Sequence, residues 1–577
     1  MKHDPEKGDY FVPDWLEEPP RQGSYRSLFK WGAPAVFKHP NRRLYRLIKE
    51  TFDLSDRDFQ KRINDGNDPV RYRGKSRLSP KHTAAFIAIV GDKNVETDAY
   101  SRVKYSVGKT VEEATKLRNG VIERTADIIV HPRNKFDVQK IVAYCNTHRI
   151  PIYAYGGGSS VTFGLRPSKG GVTLVMNTHL NNIIELNETN QTVRVQAGIM
   201  GPAYETMLNN AVEKLGARRR YTGGHFPQSF EFSSVGGWIV TLGSGQASTY
   251  YGDAYDLVIS QEFVTPAGTI KTLEYPATAT GPKVNDLLKG SEGSFGILVE
   301  ATLKVFRWMP DNRQKYAYIF PSWESAVNAA REITQGEFGL PAVFRVSDPE
   351  ETDIAMKLYG IEGTIIDRMM TIRGYKPMER CLLIGTAEGA KSYAKNVKRN
   401  IKKICKRSGA MYITGYPVSK WEHGRYTDPY MREDLQDFGI MTDTLETGVT
   451  WDNIIRLHRG VREFIKSRPR TVCMTHGSHF YPQGTNLYFI FIAKMEDVRE
   501  YINFQNGIIE HIQKFGGSLS HHHGVGKMIA PWMERHLGRE QMAVLRAMKR
   551  HFDPKNIMNP GGQLGLEVKD REWRTIK

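Results

Sequence analysis

The feature that most constrains this chain is a run of three consecutive glycines at positions 156–158, directly after an apolar segment of strand length. Two serines, Ser159 and Ser160, follow the run. Consecutive glycines allow several backbone N–H groups to converge on a diphosphate with no side chain in the way. The run lacks GxGxxG spacing, because position 161 is valine, and it lacks a P-loop lysine. The sequence therefore predicts an anion cradle unlike those of ordinary dinucleotide-binding folds or nucleoside triphosphatases.

Two further glycine-rich runs support this interpretation, at residues 233–238 and 291–296. The second of them directly precedes a predicted strand. Three separated loops rich in exposed backbone favour a long cofactor that is bound along its whole length.

Hydrophobic periodicity predicts strands and helices in two successive regions. The first region contains predicted strands at 127–130, 152–155, 172–176, 192–197, 257–265 and 297–305, with a helix at 135–148. The second contains predicted strands at 316–320, 342–346 and 381–384, with a helix at 323–335. We predict an α+β protein with an irregular N-terminal extension (1–115), which includes a short helix at 40–51, a cofactor domain (116–308), a cap domain (309–500) and a C-terminal segment (501–577) with helices at 499–515 and 539–551.

Length and composition agree with a multidomain globular enzyme. A chain of 577 residues exceeds one ordinary core, and it contains no apolar run of 18 residues that could span a membrane. Residues 1–6 lack a secretory signal and residues 575–577 lack a peroxisomal address, so we expect a cytoplasmic protein. The four cysteines are far apart and lack CxxC spacing, which indicates a reducing compartment without disulfides or a cysteine metal site.

The net charge of +18 requires an explanation. No nucleic-acid motif accompanies it, so we expect no nucleic-acid partner. Part of the charge lies in a predicted helix at 391–407, where Val397, Ile401 and Ile404 form one face and lysines cover the rest. This helix is interpreted either as a solvated surface element or as a contact for anionic lipid or a phosphorylated substrate.

Four segments, in this order, resemble the FAD-binding domain of the vanillyl-alcohol oxidase superfamily: residues 124–134, 155–164, 233–245 and 290–297. The resemblance implies a two-subdomain PCMH-type FAD-binding domain with an α+β cap domain and C-terminal helices. The first loop has no histidine to form a covalent flavin bond, so we expect non-covalent FAD. We also expect no metal ion. The residues that match the family's cofactor motifs are Ala154, Tyr155, Gly156, Gly157, Gly158, Ser159, Ser160, Gln228, Ser229, Phe230, Glu231, Phe232, Ser233, Ser234, Thr241, Leu242, Gly243, Ser244, Glu292, Gly293, Ser294, Phe295, Gly296, Ile297 and Leu298.

The substrate side distinguishes two branches of the superfamily. The D-2-hydroxy-acid dehydrogenases carry an HxGDGNLH motif, but both histidine places hold tyrosine here, Tyr481 and Tyr488. Tyrosine is a poor replacement for imidazole as a ligand of a divalent ion. Residues 231–238, 481–489 and 516–527 instead resemble the EFSTVGGW, YxxGxxxYF and GGSLSHHHGVGK motifs of the alkyldihydroxyacetonephosphate synthase family.

The resemblance implies an exchange without net redox change, in which a fatty alcohol replaces the acyl group of acyl-dihydroxyacetone phosphate and forms an ether-lipid precursor. Oxidised FAD would act as the electrophile. Tyr481 would remove a proton from the carbon beside the carbonyl, which requires nearby cations because a phenol has a pKa of about 10. The remaining implied residues are the proton-transferring histidines His521, His522 and His523 and two substrate-side arginines, of which Arg432 would contact the substrate phosphate directly and Arg345 would support the site.

Three positions depart from the synthase pattern. Pro482 replaces the acid after the tyrosine, Leu242 replaces an arginine of the third flavin segment, and residues 556–562 are closer to the dehydrogenase branch. An FAD-dependent 2-hydroxy-acid dehydrogenase or oxidase that passes electrons to a partner therefore stays as the alternative. The non-enzymatic alternative is a flavin-free relative that binds lipid or nucleic acid. A homodimer and peripheral membrane contact are left open.

Overall fold

The computed structural model describes residues 11–495 and 497–567, which divide into two compact units. The glycine-loop unit contains Pro69–Arg313, Glu388–Ala394 and residues 518–567. The cap unit contains residues 11–68, Gln314–Ala387 and Lys395–Gly517, so the predicted N-terminal extension contributes to both units. The sequence expectations for residues 1–6 and 575–577 lie outside the described residues.

The glycine-loop unit is built on two larger sheets and one pair of short strands. In the first sheet the order is β1-β2-β4-β3, with β2, β4 and β3 parallel. In the second sheet the order is β5-β6-β10-β8-β9 and every pairing is antiparallel, while β11 pairs with β7. The strands are β1 (Val95–Glu96), β2 (Ile128–Val130), β3 (Ile152–Tyr155), β4 (Val172–Val175), β5 (Ile183–Asn187), β6 (Thr192–Gln196), β7 (Tyr221–Thr222), β8 (Val258–Thr265), β9 (Gly268–Lys271), β10 (Ile297–Lys304) and β11 (Phe306–Arg307).

Helices cover these sheets, and the predicted helix Lys135–His148 is present. It starts at Asn134, whose side chain accepts the backbone N–H groups of Phe136 and Asp137. Its buried residues join those of β2, β3 and β4 in one apolar core. The α-helices of this unit are Pro80–Val90, Ala99–Lys104, Val111–Arg118, Lys135–His148, Gly201–Asn209, Ala211–Leu215, Val235–Val240, Ser248–Tyr251, Ala254–Leu257, Val284–Leu288, Met533–Leu537 and Arg539–Phe552.

The cap unit contains one antiparallel sheet of seven strands in the order β15-β12-β14-β13-β17-β18-β16. The long strands β16, β17 and β18 form one end of this order. The strands are β12 (Gln314–Phe320), β13 (Phe344–Ser347), β14 (Cys381–Ala387), β15 (Met411–Tyr412), β16 (Ile440–Thr450), β17 (Thr471–Tyr481) and β18 (Gly484–Lys494).

Part of the N-terminal extension packs on this sheet. The helix Arg42–Phe52 places Leu44 and Ile48 in an apolar cluster with Val472 of β17 and Ile492 of β18. The extension is therefore part of the core of the cap unit. The other α-helices of the unit are Tyr25–Phe29, Trp323–Thr334, Pro349–Leu358, Ile365–Ile372, Tyr416–Gly424, Met431–Gln436, Ile454–Ser467 and Val498–Lys514.

The basic helix is confirmed at Lys391–Arg407, across the boundary of the two units in the chain. Val397, Ile401 and Ile404 are buried, as the predicted apolar face requires. All four cysteines are buried and unpaired. Among the described helices, none combines the length and the apolar character needed to cross a bilayer.

Candidate active site

The glycine cradle lies directly against the second glycine-rich loop. A Cβ atom on Gly157 would overlap the Phe232 carbonyl oxygen, and one on Gly156 would overlap the Ser234 hydroxyl. Gly158 has a φ of +78°, in the left-handed region that favours glycine. The packing of the two loops therefore requires glycine at these positions. This is a second reason for glycine there, beside the access to the backbone that a diphosphate needs.

The first loop is closed by its own hydroxyl and backbone groups. The Ser160 hydroxyl accepts the N–H of Gly164 at 3.0 Å, and the Ser160 carbonyl accepts the N–H of Lys109 at 2.7 Å. These bonds stabilise the cradle at the end of β3 and connect it to Lys109.

Most of the second glycine-rich run, predicted as a loop, lies in the short helix Val235–Val240, which also contacts the third loop. Ser234 caps its start by accepting the N–H of Gly237, and carbonyl groups at its C-terminal end accept N–H groups of the third loop. The N–H of Glu292 binds the Val240 carbonyl at 2.9 Å, and the N–H of Gly290 binds the Ile239 carbonyl at 3.2 Å. All three predicted cofactor loops thus meet within the glycine-loop unit.

Several buried polar atoms around these loops have no hydrogen-bond partner among the described residues. They include the hydroxyls of Ser244, Ser291 and Ser294 and both ring nitrogens of His225. Leaving such a group unsatisfied costs about 1–3 kcal/mol, so this many in one place indicates a polar ligand. Together with the glycine cradle they fit FAD, whose diphosphate, ribityl chain and rings offer partners along its length.

His225 is a candidate residue that the sequence analysis did not identify. Its ring lies 4.7 Å from the Trp238 ring, and burial lowers its pKa to about 4. His225 is therefore neutral at pH 7. In the sequence it directly follows Gly223 and Gly224, and this pair of glycines is a local feature that could have identified His225 as a site residue.

The histidine loop, residues 518–529, belongs to the same unit. The Nδ1 atoms of His521 and His522 lie 3.1 Å apart, and the rings of His522 and His523 are 4.7 Å apart. All three side chains are partly exposed. The N–H groups of Lys527 and Met528, behind the histidines, donate to the Thr162 carbonyl of the first loop at 3.0 and 3.1 Å. The loop is thus attached to the cradle.

Tyr481 and Arg345 lie on the cap sheet. Arg345 of β13 is paired with Ser478 of β17, and β17 ends at Tyr481, which is paired with Gly484. The register of β17 shifts between Ser478 and Phe480, where His479 has a φ of +55°. This bulge brings Tyr481 to the same face of the sheet as Ser478 and Arg345.

A buried carboxylate binds Arg345 on that face. The Arg345 guanidinium donates to Glu351, and His476 Nδ1 lies 3.1 Å from the same carboxylate. Burial opposes the charge of Glu351, but Arg345 and His476 outweigh it and lower its pKa to about 2. Burial and then Arg345 lower the pKa of His476 itself, so His476 is neutral at pH 7 and Arg345 is the cation that balances Glu351.

Tyr488, the second tyrosine of the family motif, is paired with His476 across the strands. The two rings are stacked with centroids 5.1 Å apart, and the Tyr488 hydroxyl donates to Thr444 at 3.1 Å. Burial raises the pKa of Tyr488 to about 12. Tyr488 is therefore a hydrogen-bonding residue and a poor base.

Arg432 lies in a different part of the cap unit, on the short helix Met431–Gln436. Its guanidinium binds Glu433 at 2.8 Å and lies 5.1 Å from the Trp31 ring centroid. Leu435 of the same helix packs in the apolar cluster with Val472, at the start of β17 and away from Tyr481 at its end. The structure therefore groups Arg345 with Tyr481, and it gives Arg432 a separate setting.

Comparisons with known proteins identify the family to which this chain belongs. The model of the FAD binding domain family matches residues 126–274, and that of the FAD linked oxidases, C-terminal domain, matches residues 309–562. The alkyldihydroxyacetonephosphate synthase of Dictyostelium discoideum is 30% identical over 91% of this chain and 88% of its own length. That of Caenorhabditis elegans is 30% identical over 80% of this chain and 79% of its own length.

A solved structure of an alkyldihydroxyacetonephosphate synthase has a TM-score of 0.78 to this chain at 27% identity, and the match covers 93% of this chain and 99% of that one. Sequence, structure and both domain families thus point to one group of flavoproteins with an α+β architecture. The chain belongs to the alkyldihydroxyacetonephosphate synthase family of FAD-linked oxidases, and its cofactor is FAD.

Proposed function

We propose that this protein is an FAD-dependent alkyldihydroxyacetonephosphate synthase. It exchanges the acyl group of acyl-dihydroxyacetone phosphate for a long-chain fatty alcohol and forms an ether-lipid precursor. The observation that carries the proposal is the set of side chains on one face of the cap sheet, where Tyr481 stands with Arg345 and His476. A phenol, a guanidinium and an imidazole provide a base, an anion-binding group and a hydrogen-bond donor.

Tyr481 is the proposed base that takes the proton from the carbon beside the substrate carbonyl. A free phenol has a pKa of about 10, so a cation must favour the phenolate. Arg345 supplies that positive charge on the same face of the sheet. Tyr488 does not compete for this role, because burial raises its pKa to about 12.

Arg345, on the face of the cap sheet that carries Tyr481, is proposed to bind the phosphate of the substrate, and Arg432, in its separate setting, is the second proposed contact of the substrate. A guanidinium offers a planar set of N–H donors that suits phosphate oxygens. Glu351 orients Arg345, and Glu433 with Trp31 orients Arg432. Their carboxylate partners hold the guanidinium groups in position before the substrate binds.

His521, His522 and His523 are the proposed proton-transfer groups of the glycine-loop unit. Imidazoles gain and lose protons near neutral pH and can stabilise a departing carboxylate. FAD, bound by the three glycine-rich loops, supplies an electrophilic ring for an exchange without net redox change.

The substrates are long-chain lipids, and we propose that the protein contacts a membrane surface through the helix Ile365–Ile372. Ile365, Ile366 and Ile372 are 76%, 64% and 85% exposed, while Asp367 and Met370 are buried on the opposite side. An amphipathic helix of this kind lies in the interface of a bilayer with its apolar face inserted. The exposed lysines of the helix Lys391–Arg407 are a second candidate contact with anionic lipid.

The proposal is tested by incubating the purified yellow protein with acyl-dihydroxyacetone phosphate and labelled hexadecanol, without any electron acceptor. We expect the label to enter a phosphate-containing ether and one fatty acid to leave for each alcohol that enters. The alternative dehydrogenase would instead lose its flavin absorbance with a 2-hydroxy acid and reduce an added acceptor. That result, without incorporation of the alcohol, would contradict the proposal.

A further inference from the structure

Glu292 adopts a backbone conformation that suits glycine better than glutamate. It has a φ of +47° and lies between Gly290 and Gly293, which have φ of +70° and +74°. A residue with a Cβ atom is strained in this region, and such strain persists where the side chain has a task. Glycine occupies the two neighbouring positions with positive φ, so the presence of a side chain at Glu292 indicates a function for its carboxylate.

The carboxylate binds two successive N–H groups of the histidine loop. Its Oε1 accepts the N–H of Val525 at 2.7 Å, and its Oε2 accepts the N–H of Gly526 at 2.8 Å. The side-chain amide of Gln563 also donates to Oε2. Burial raises the pKa of the Glu292 carboxyl to about 7, and these donors oppose that shift because they favour the charged form, which makes hydrogen bonds about twice as strong as a neutral acceptor does.

The loop is shaped to receive this carboxylate. Gly524 and Gly526 have φ of +82° and +56°. A Cβ atom on Gly524 would lie 2.7 Å from Glu292 Oε1, and one on Gly526 would overlap the Thr162 carbonyl oxygen. Glycine at both positions therefore permits the close approach of the carboxylate on one side and of the first loop on the other.

A second set of buried polar groups supports the same junction. Lys527 donates to the Asn559 side-chain oxygen at 2.6 Å and to the Arg166 carbonyl at 2.9 Å. The Asn559 amide in turn donates to the Glu292 carbonyl at 2.9 Å. Both the main chain and the side chain of Glu292 are thus bonded to the C-terminal segment.

We propose that Glu292 is a positioning residue that fixes the histidine loop to the third glycine-rich loop through the N–H groups of Val525 and Gly526. His521 and His523 precede Val525 by four and two residues, so the anchor limits where their imidazoles can lie. The consequence for turnover rests on the proposed function, whereas the anchor itself does not. This role differs from the cofactor contact that the motif match implies for Glu292.

Glu292→Gln is the main test, because it keeps the size of the side chain and replaces one acceptor with an N–H₂ donor. Amide hydrogen exchange of the FAD-loaded protein should become about tenfold or more faster in the peptide that contains Val525 and Gly526. The flavin absorbance should be retained. With the proposed substrates, kcat should fall about tenfold while KM changes less than about twofold.

Two further variants make the result interpretable. Glu185→Gln, an exposed glutamate on β5, is the matched control and should leave exchange in the histidine loop unchanged. Glu292→Asp keeps both acceptors on a shorter side chain and should give an intermediate exchange rate. If Glu292→Gln does not fold, Glu292→Asp still tests whether the carboxylate anchors the histidine loop.

Wild-type exchange in the histidine loop of both Glu292 variants would overturn the anchor. Loss of FAD with an unchanged loop would assign Glu292 to cofactor binding instead. A wild-type protein that fails to form the ether would contradict the proposed function, but the exchange comparison would still decide the role of Glu292.

Discussion

Tyr481 and His476 lie on the same face of the cap sheet although they are five residues apart in one strand. Their partners in β18 are Gly484 and Tyr488, which are four residues apart in a strand that pairs with β16 without interruption. Side chains alternate along a regular strand, so Tyr481 would face away from His476 without the extra residue His479. The bulge thus places the proposed base on the face of the sheet that carries the other polar groups.

His479 is the first test of this geometry. It has a φ of +55°, which asparagine tolerates and a β-branched residue does not. We expect His479→Val to lose about 1–3 kcal/mol more stability than His479→Asn and to lose more activity. Urea unfolding and the ether-forming assay measure the two effects. Equal stability of the two variants would show that the bulge does not depend on this backbone conformation.

Gly157 tests the cofactor cradle. A Cβ atom there would overlap the Phe232 carbonyl oxygen, so Gly157→Ala should separate the first two loops and release FAD. Gly424→Ala is the control, because this glycine lies outside the cofactor loops, in the helix Tyr416–Gly424, and the nearest atom to the added Cβ, Lys38 Nζ, is 3.3 Å away. The ratio of flavin to protein absorbance measures both. A Gly157→Ala protein with full FAD content would contradict the proposed cradle.

The lowered pKa of Glu351 predicts that the free energy of unfolding decreases in acid. Its pKa in the folded protein is about 2, below the ordinary value of 4.5, so its contribution is complete above pH 4.5 and is lost as the pH falls towards 2. Arg345→Met removes the balancing cation from a half-buried pair and should cost about 1–3 kcal/mol at pH 7. Urea unfolding at pH 7 and pH 3.5 should show a smaller pH-dependent loss in the variant. An equal loss in both proteins would exclude Glu351 as its source.

The exposed isoleucines of the helix Ile365–Ile372 lead us to expect that the protein binds lipid vesicles. Full burial of one isoleucine contributes about 1.5–3 kcal/mol, so the double variant Ile365→Ser, Ile372→Ser should bind at least about tenfold more weakly in a flotation assay. Lys402→Gln with Lys403→Gln tests the basic helix. This pair should weaken binding only to anionic vesicles if that helix takes part. Unchanged binding of the isoleucine variant would exclude the helix Ile365–Ile372.

The sequence predicts the helices and strands around the glycine-rich runs well because strand and helix patterns are local signals. The helix Lys135–His148 has its predicted ends, and the strand predicted at 257–265 starts one residue later, at Val258. The cap domain was predicted less completely, and β16 was missed. Its pattern includes Asp443 and Glu446, polar residues that tertiary contacts make compatible with a strand.

The polar site groups of the cap sheet depend on register, which a single sequence does not reveal. His479 is not glycine, so nothing local marked a bulge, and His476 and Glu351 were not identified as partners of Arg345. The predicted roles of Tyr481, Arg345, Arg432 and the three histidines stay predictions. The contact between Glu292 and the histidine loop joins residues more than two hundred positions apart, which no local pattern could show.

The most direct test of the account compares Tyr481→Phe with Tyr488→Phe in the labelled-hexadecanol assay. Both variants lose one hydroxyl from the same motif, but only Tyr481 is the proposed base. We expect Tyr481→Phe to retain FAD and to lose at least about a thousandfold in ether formation, whereas Tyr488→Phe loses only the support of one hydrogen bond, about tenfold or less. Ether formation by Tyr481→Phe at or near the wild-type rate would contradict the account.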